Sequence, residues 1–275
     1  MTKQGIIISS AAMYSTWCYH QPTRVLFDAG EGMTNYLRSR MFGIQNVMIT
    51  HMDSDHCLGL LSLIGLRAKT KGDREKDLTI YVPSGDPRWT AMRDYVDACW
   101  SNLPYRLRWF PIDPGFELQL GSGHRIVAFQ TQHRHTMSLG YKVVETRWRL
   151  KPEFRGQDIR ALLASGVDKD MINESYTATT FAWCLDAFSF NPADIAGATL
   201  AVMDSTFIRD GDRIDNSHMT ATEAIAVCRE AGVKNIILAH LSTRYGPEHQ
   251  REFAEQMKLL DIPTKVCFTD SILEL

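Results

Sequence analysis

The stretch Thr50-His51-Met52-Asp53-Ser54-Asp55-His56-Cys57-Leu58-Gly59 constrains this chain more than any other. Four side chains able to bind a cation, His51, Asp53, Asp55 and His56, fall within six positions at the end of the apolar run 47–50. A strand that ends in a tight turn before a helix aims several short side chains at one spot, and imidazole combined with carboxylate suits zinc, manganese or iron. The bland alternative, a solvated polar turn with two chance histidines, leaves that density unexplained.

Short β-branched or apolar runs at 5–9, 24–28, 47–50, 78–82, 106–110, 124–131, 141–145, 181–185, 200–203, 236–239 and 265–268 read as strands. Helix-length segments at 31–41, 58–69, 88–100, 220–231 and 248–260 lie between them. The best signalled is 220–231, where Thr220 and Glu223 fit a capping box and Gly232 supplies a stop. No linker rich in Pro, Gly or Ser and no repeat divides the chain, so residues 1–275 read as one mixed α/β unit. Residues 147–180 are charged and poorly periodic, with one short helix at 157–164, and read as an excursion from the main sheet.

A metal site needs ligands from elsewhere, and they too should sit just beyond strand ends. His133 follows the run 124–131, Asp186 follows 181–185, Asp204 follows 200–203 and His240 follows 236–239. Five of the nine histidines, His51, His56, His133, His218 and His240, thus occupy loop or strand-end positions that could converge. Each alone is an ordinary surface or capping residue; their order along the chain gives them weight.

Composition narrows the setting. The six cysteines are scattered without a Cys-x-x-Cys pair or a secretory leader, which points to reduced thiols in a cytoplasm and against cysteine-ligated zinc. The longest apolar runs are strand-sized, far below the roughly 18 residues of a membrane span, so a soluble protein is expected. A formal net charge of −2 lacks the basic balance that often accompanies nucleic-acid binding.

The order of these residues resembles the metallo-β-lactamase superfamily and, within it, ribonuclease Z, over nearly the whole chain. Arg24-Val25-Leu26-Phe27-Asp28-Ala29-Gly30-Glu31-Gly32 is similar to a ribonuclease Z segment whose Asp braces the metal loop, and His51 to His56 to the superfamily's H-x-H-x-D-H. Ser138-Leu139-Gly140-Tyr141 resembles the segment after the third metal-binding His, and Cys184-Leu185-Asp186-Ala187 stands in the place of Gly-Asp-Thr. Met203-Asp204-Ser205-Thr206-Phe207 is similar to the family's His-Glu-Ala-Thr, and His218-Met219-Thr220 to its His-Ser-Thr. Ala239-His240-Leu241-Ser242-Thr243-Arg244-Tyr245 resembles its Thr-His-Phe-Ser-Ser-Arg-Tyr.

The resemblance implies an αββα sandwich, two mixed β-sheets flanked by helices, with the site at one edge. It implies two divalent metal ions, zinc first and manganese as the alternative: His51, Asp53 and His133 at one, Asp55, His56 and His240 at the other, and Asp186 bridging. Such a pair acidifies the water it shares, so that a nucleophile exists at neutral pH. Asp55 would orient that nucleophile and accept its proton, while His218, held by Asp204, would protonate the leaving oxygen. A homodimer is implied by the same resemblance.

The chain departs from the family pattern at several points. Position 53 is Asp where most of the superfamily has His, which favours a harder metal such as manganese. The nuclease-like domain of competence DNA-uptake proteins resembles this chain in carrying H-x-D-x-D-H. His133 lies one residue farther from Gly140 than usual, and His135 is the other candidate for the third ligand. Ser10-Ala11-Ala12-Met13 replaces a Gly-rich loop, and 147–180 holds Arg147, Arg149, Lys151, Arg155 and Arg160 but no Gly-Pro pair. That basic cluster could touch RNA phosphates or be a solvated loop.

Three functions follow. The leading expectation is an endoribonuclease acting on tRNA 3′ ends. The second is a cyclic-nucleotide phosphodiesterase on the same scaffold, with a narrow pocket and a stacking aromatic residue. The third is a non-catalytic binding protein that has kept the fold and lost a metal.

Overall fold

A computed structural model gives the structure, which describes residues 5–69, 76–121, 123–134 and 136–275. The first sheet holds β1 (Ile6–Ala11), β2 (Ser15–His20), β3 (Val25–Phe27), β4 (Asn46–Met48), β5 (Leu78–Pro83) and β6 (Leu107–Ile112) in that spatial order, with the strand Leu273–Glu274 beside β1. Its first half is antiparallel, whereas β3 to β6 run parallel through helical crossovers.

The second sheet holds β7 (Glu117–Gln119), β8 (His124–His133), β9 (Thr136–Leu150), β10 (Asn173–Cys184), β11 (Ser189–Phe190), β12 (Ala201–Asp204), β13 (Ile236–Ala239) and β14 (Thr264–Val266). Here β8 to β10 are antiparallel, and β10, β12, β13 and β14 are parallel.

Strand alternation builds three apolar layers. Ile6, Ile8, Val25 and Phe27 point toward Tyr141, Phe181, Trp183 and Val202 of the other sheet. The intervening Ile7, Leu26 and Val47 face the outer helices α1 (Met33–Leu37), α2 (Ser54–Cys57), α3 (Gly59–Lys69) and α4 (Arg88–Cys99). On the far side Ala182, Cys184, Met203 and Leu238 meet helices at 221–230 and 247–257. The layer order is therefore helix, sheet, sheet, helix, the expected αββα sandwich. Period-2 alternation produces it, since neighbouring residues of one strand serve opposite layers.

The excursion is more ordered than its sequence implies. Strand β8 pairs with β9 only as far as Glu145, while β9 and β10 continue as a two-stranded ribbon to the pair Leu150 with Asn173. Two short helices cap it, α5 (Ile159–Ala164), with Asp158 as N-cap, and α6 (Lys169–Ile172), where one helix was expected. Next in the chain is α7 (Ala221–Glu230), which carries the expected capping box, then α8 (Pro247–Met257). Among the described residues no helix is long and apolar enough to cross a membrane.

Candidate metal centre

The parallel strands of both sheets end at one edge of the sandwich, the position from which loop side chains can converge. From the first sheet, β4 leads to His51, and Asp53 is the N-cap of α2 with its side chain free of capping, so the carboxylate can face the site. The short helix α2 brings Asp55 and His56 round to the same side. This turn needs Gly59: a Cβ there would lie 2.3 Å from the Gly30 carbonyl oxygen, while the Gly59 N–H donates to the Ala29 oxygen at 2.8 Å. From the second sheet come His133 at the end of β8, and Asp186, Asp204 and His240 after β10, at the end of β12 and after β13.

Asp186 and His240 hold left-handed backbone, with φ of 49° and 61°. That conformation costs a non-glycine residue on the order of 1 kcal/mol and is kept where the surroundings over-determine it. Here it turns both side chains off their strands into the site.

All the ligands expected from the sequence meet. Asp186 lies between two groups: its Oδ2 is 3.6 Å from His51 Nε2, and its Oδ1 is 3.1 Å from His56 Nε2 and 3.0 Å from His240 Nε2. Asp53 Oδ2 is 3.5 Å from His51 Nε2 and 3.8 Å from His133 Nε2. Asp55 Oδ2 is 3.6 Å from Nε2 of both His56 and His240. Ligand atoms of His51, Asp53 and His133 lie within 4.8 Å of one another, as do those of Asp55, His56 and His240. The alternative third ligand, His135, lies outside the described residues.

Hydrogen bonds behind the imidazoles decide which ring nitrogen is free. Thr50 Oγ1 gives its proton to Asp28, so at 3.0 Å it accepts from His51 Nδ1–H. Thr206 Oγ1 gives its proton to Asp204 and accepts from His240 Nδ1–H at 3.0 Å. His56 Nδ1–H donates to Asp28 Oδ2 at 3.0 Å, and His133 Nδ1–H to the Ser217 carbonyl at 2.9 Å. All four Nε2 atoms are thereby left as lone-pair donors, the tautomer that metal ligation requires. These Nε2 atoms and Asp186 Oδ1 are buried without a hydrogen-bond partner among the described residues. Orphaned buried polar atoms are rare, and five of them aimed at one another fit a cation or pair of cations.

The electrostatics agree. Hydrogen bonds with His133 and His51 hold the Asp53 carboxyl far below the usual carboxylate range. Burial disfavours a charged His240, but Asp186 outweighs it and pushes the imidazole up to about 10. Burial likewise opposes a charged His56, and Asp186 and Asp28 overcome it and raise the group well above its ordinary value. Without cations the carboxylates recruit protons; with them, those protons are displaced.

Asp204, fully buried, accepts from Thr206 N–H at 2.9 Å, from Ala187 N–H at 3.1 Å and from His218 Nδ1–H at 2.8 Å. The His218 ring sits 4.9 Å from that of His133 and 5.2 Å from that of His240. Asp53, Asp55, Asp186, His218 and His240 floor a cavity of about 850 Å³, walled by Leu58, Met92, Tyr95 and Phe207 and edged by Arg88, Arg134 and Arg244. Arg244 stacks its guanidinium over Phe207 at 5.2 Å and donates to the Asp212 carbonyl.

Sequence reasoning missed the residues that hold the ligands. Thr206, Asp86 and Arg88 act through contacts distant in sequence, Thr50 accepts from the neighbouring His51, and Met13 contributes a backbone N–H, 3.1 Å from Asp55 Oδ2. Thr50, Thr206 and Met13 each stood in a stretch already noted, with no role assigned to them.

Residues 23–151 match the family described as Beta-lactamase superfamily domain. The chain is 30% identical over 252 residues to ribonuclease Z of Halorubrum lacusprofundi, covering 82% of this chain and 79% of that protein. It is 29% identical over 266 residues to ribonuclease Z of Archaeoglobus fulgidus, covering 86% and 84%. In three dimensions it is similar to the short form of human tRNase Z, with a TM-score of 0.64 at 16% identity and 98% of each chain covered. With its His and Asp side chains gathered as such a hydrolase requires, the chain belongs to the ribonuclease Z family of metal-dependent hydrolases.

Proposed function

We propose that the protein is an endoribonuclease that hydrolyses a phosphodiester bond near tRNA 3′ ends, with two divalent cations held by His51, Asp53 and His133 and by Asp55, His56 and His240, and with Asp186 between them. The observation that carries the reading is the convergence of four lone-pair Nε2 atoms with three carboxylates beneath an open, arginine-edged cavity. When bound, the ions supply acidified water and neutralise charge on the attacked phosphate. Four imidazoles favour zinc, while Asp53 adds an anionic oxygen that manganese tolerates.

The protein's own groups handle the protons. Asp55 Oδ2, held from behind by the Met13 N–H, faces the centre and accepts the proton of the attacking water. His218 gives Nδ1–H to Asp204, which leaves Nε2 to carry a proton toward the leaving oxygen. The buried Asp204 carboxylate fixes the aim of the ring. Arg134 and Arg244 supply cations at the cavity edge, and the exposed Tyr95 offers a flat apolar face to a base.

RNA binding by the ribbon at 147–180 does not follow from its charge, because three of the five basic residues read there, Arg147, Arg149 and Lys151, are already engaged within the protein. Arg147 pairs with Glu145 at 2.7 Å, Arg149 with Glu174 at 2.8 Å, and Lys151 donates to the Met171 carbonyl.

The test is an assay of the metal-loaded protein on precursor tRNA with a 3′ trailer, beside a panel of cyclic nucleotides. Cleavage at the trailer junction supports the proposal, and turnover of cyclic nucleotides alone replaces the substrate. With two ions bound and no turnover of either, both substrate readings are wrong; fewer than two ions bound would instead favour a binding protein on this scaffold.

A further inference from the structure

We propose that Arg88 is a positioning residue of the metal centre, its guanidinium occupying one oxygen of Asp53 so that the carboxylate offers the other to a cation between His51 and His133. The inference rests on the two-ion reading above.

The two oxygens of Asp53 face different partners. Oδ1 accepts from Arg88 Nη1–H at 2.6 Å, while Oδ2 points to His51 Nε2 at 3.5 Å and His133 Nε2 at 3.8 Å. The side chain is a quarter exposed and lines the cavity, so it has an open side toward which the carboxylate can turn. Arg88 supplies the restraint from a fixed base. Its Nε donates to Asp86 Oδ1 at 2.9 Å and its Nη2 to Asp86 Oδ2 at 2.6 Å.

Asp86 is in turn buried, and it also accepts the Met52 N–H at 3.3 Å, from the residue next to Asp53. One buried carboxylate thus holds both the guanidinium and the backbone of the loop that the guanidinium steers. The arrangement parallels the imidazoles, each oriented by a hydrogen bond at the atom that does not face the centre. For an anionic ligand the outer partner must be a donor, and a forked cation satisfies this while offsetting the added negative charge.

Two comparisons separate this role from phosphate binding. Arg88 directs Nε, Nη1 and Nη2 at carboxylates, which leaves little of its fork for an incoming anion. Arg134, whose Nη1 is 3.8 Å from Asp53 Oδ2, is more exposed and, among the described residues, has no buried anchor of the kind Asp86 provides. It is the better placed of the two to meet substrate.

The experiment titrates metal-free protein with zinc by calorimetry and with cobalt by visible absorption, using His51→Ala to mark which binding step belongs to the first position. Arg88→Met is expected to weaken that step about 10–100-fold and alter its cobalt spectrum, with the other step unchanged. Arg88→Lys should recover part of the loss, and Asp86→Asn should reproduce it should Arg88→Met fail to fold by circular dichroism. First-step affinity in Arg88→Met that is unchanged or tighter, with KM for RNA raised instead, overturns the inference and makes Arg88 a substrate contact. Wild-type protein that binds fewer than two ions overturns the two-ion reading itself.

Discussion

His218 pairs with the buried Asp204, its Nδ1–H donating to Oδ2 at 2.8 Å, while Thr206 holds the other carboxylate oxygen. The pair stands beside the ligand cluster, its ring stacked at 5.2 Å from that of His240. A proton-delivering His218 predicts that His218→Ala lowers kcat about 10²–10⁴-fold with KM nearly unchanged. Metal content by mass spectrometry should stay at two ions; loss of one would make His218 a ligand instead.

Asp28 accepts four hydrogen bonds, from Thr50 N–H at 2.8 Å, Thr50 Oγ1–H at 2.9 Å, His56 Nδ1–H at 3.0 Å and Trp183 Nε1–H at 2.8 Å. It is fully buried at φ 54° and links the metal loop to the layer between the sheets. Asp28→Asn sets an amide donor against donors and should destabilise the fold by about 3 kcal/mol, read by urea denaturation. Trp183→Phe removes one donor, keeps most of the apolar contact and should cost only about 1 kcal/mol. Equal losses in the two variants would mean that packing, and not the carboxylate hub, holds this junction.

Thr50 and Thr206 set the tautomers of His51 and His240, one in each half of the cluster. Valine at either position keeps the shape and deletes the acceptor. Thr50→Val and Thr206→Val should each lower the affinity of a different ion about 10–100-fold in a zinc titration. Identical effects on both ions from either change would show that the halves are not separately supported.

The candidate ligands were legible because each is a local signal, a His or Asp just past an apolar run, whereas the apolar runs alone gave only a mixed α/β unit and the sandwich was implied by the family resemblance. What stayed hidden has physical causes. Strand β2 buries Thr16 and His20 on a segment whose polar residues disguise it as a loop. Residues 146–149 of the ribbon are exposed on both faces, so no period-2 alternation arises there. The contact of Arg88 with Asp53 spans 35 positions, and Asp86-Pro87-Arg88 reads as an ordinary helix start.

His20, on β2 away from the metal ligands, gives a pH dependence of its own. Burial against Phe181 and Phe27, with His124 adding repulsion, pulls its imidazole from 6.5 down to about 4. The folded protein therefore keeps His20 neutral where the unfolded chain would protonate it. Between pH 6.5 and pH 4 the unfolded state binds the additional proton, so stability is full above that window and falls as pH drops through it. The loss levels off below pH 4 at about 3 kcal/mol. Nδ1 shares a hydrogen bond of 2.7 Å with Thr23 Oγ1, which glutamine can replace without titrating. His20→Gln should flatten the difference in urea-unfolding free energy between pH 7.5 and pH 5 relative to wild type. Parallel curves for the two proteins would mean that His20 titrates alike in the folded and unfolded states.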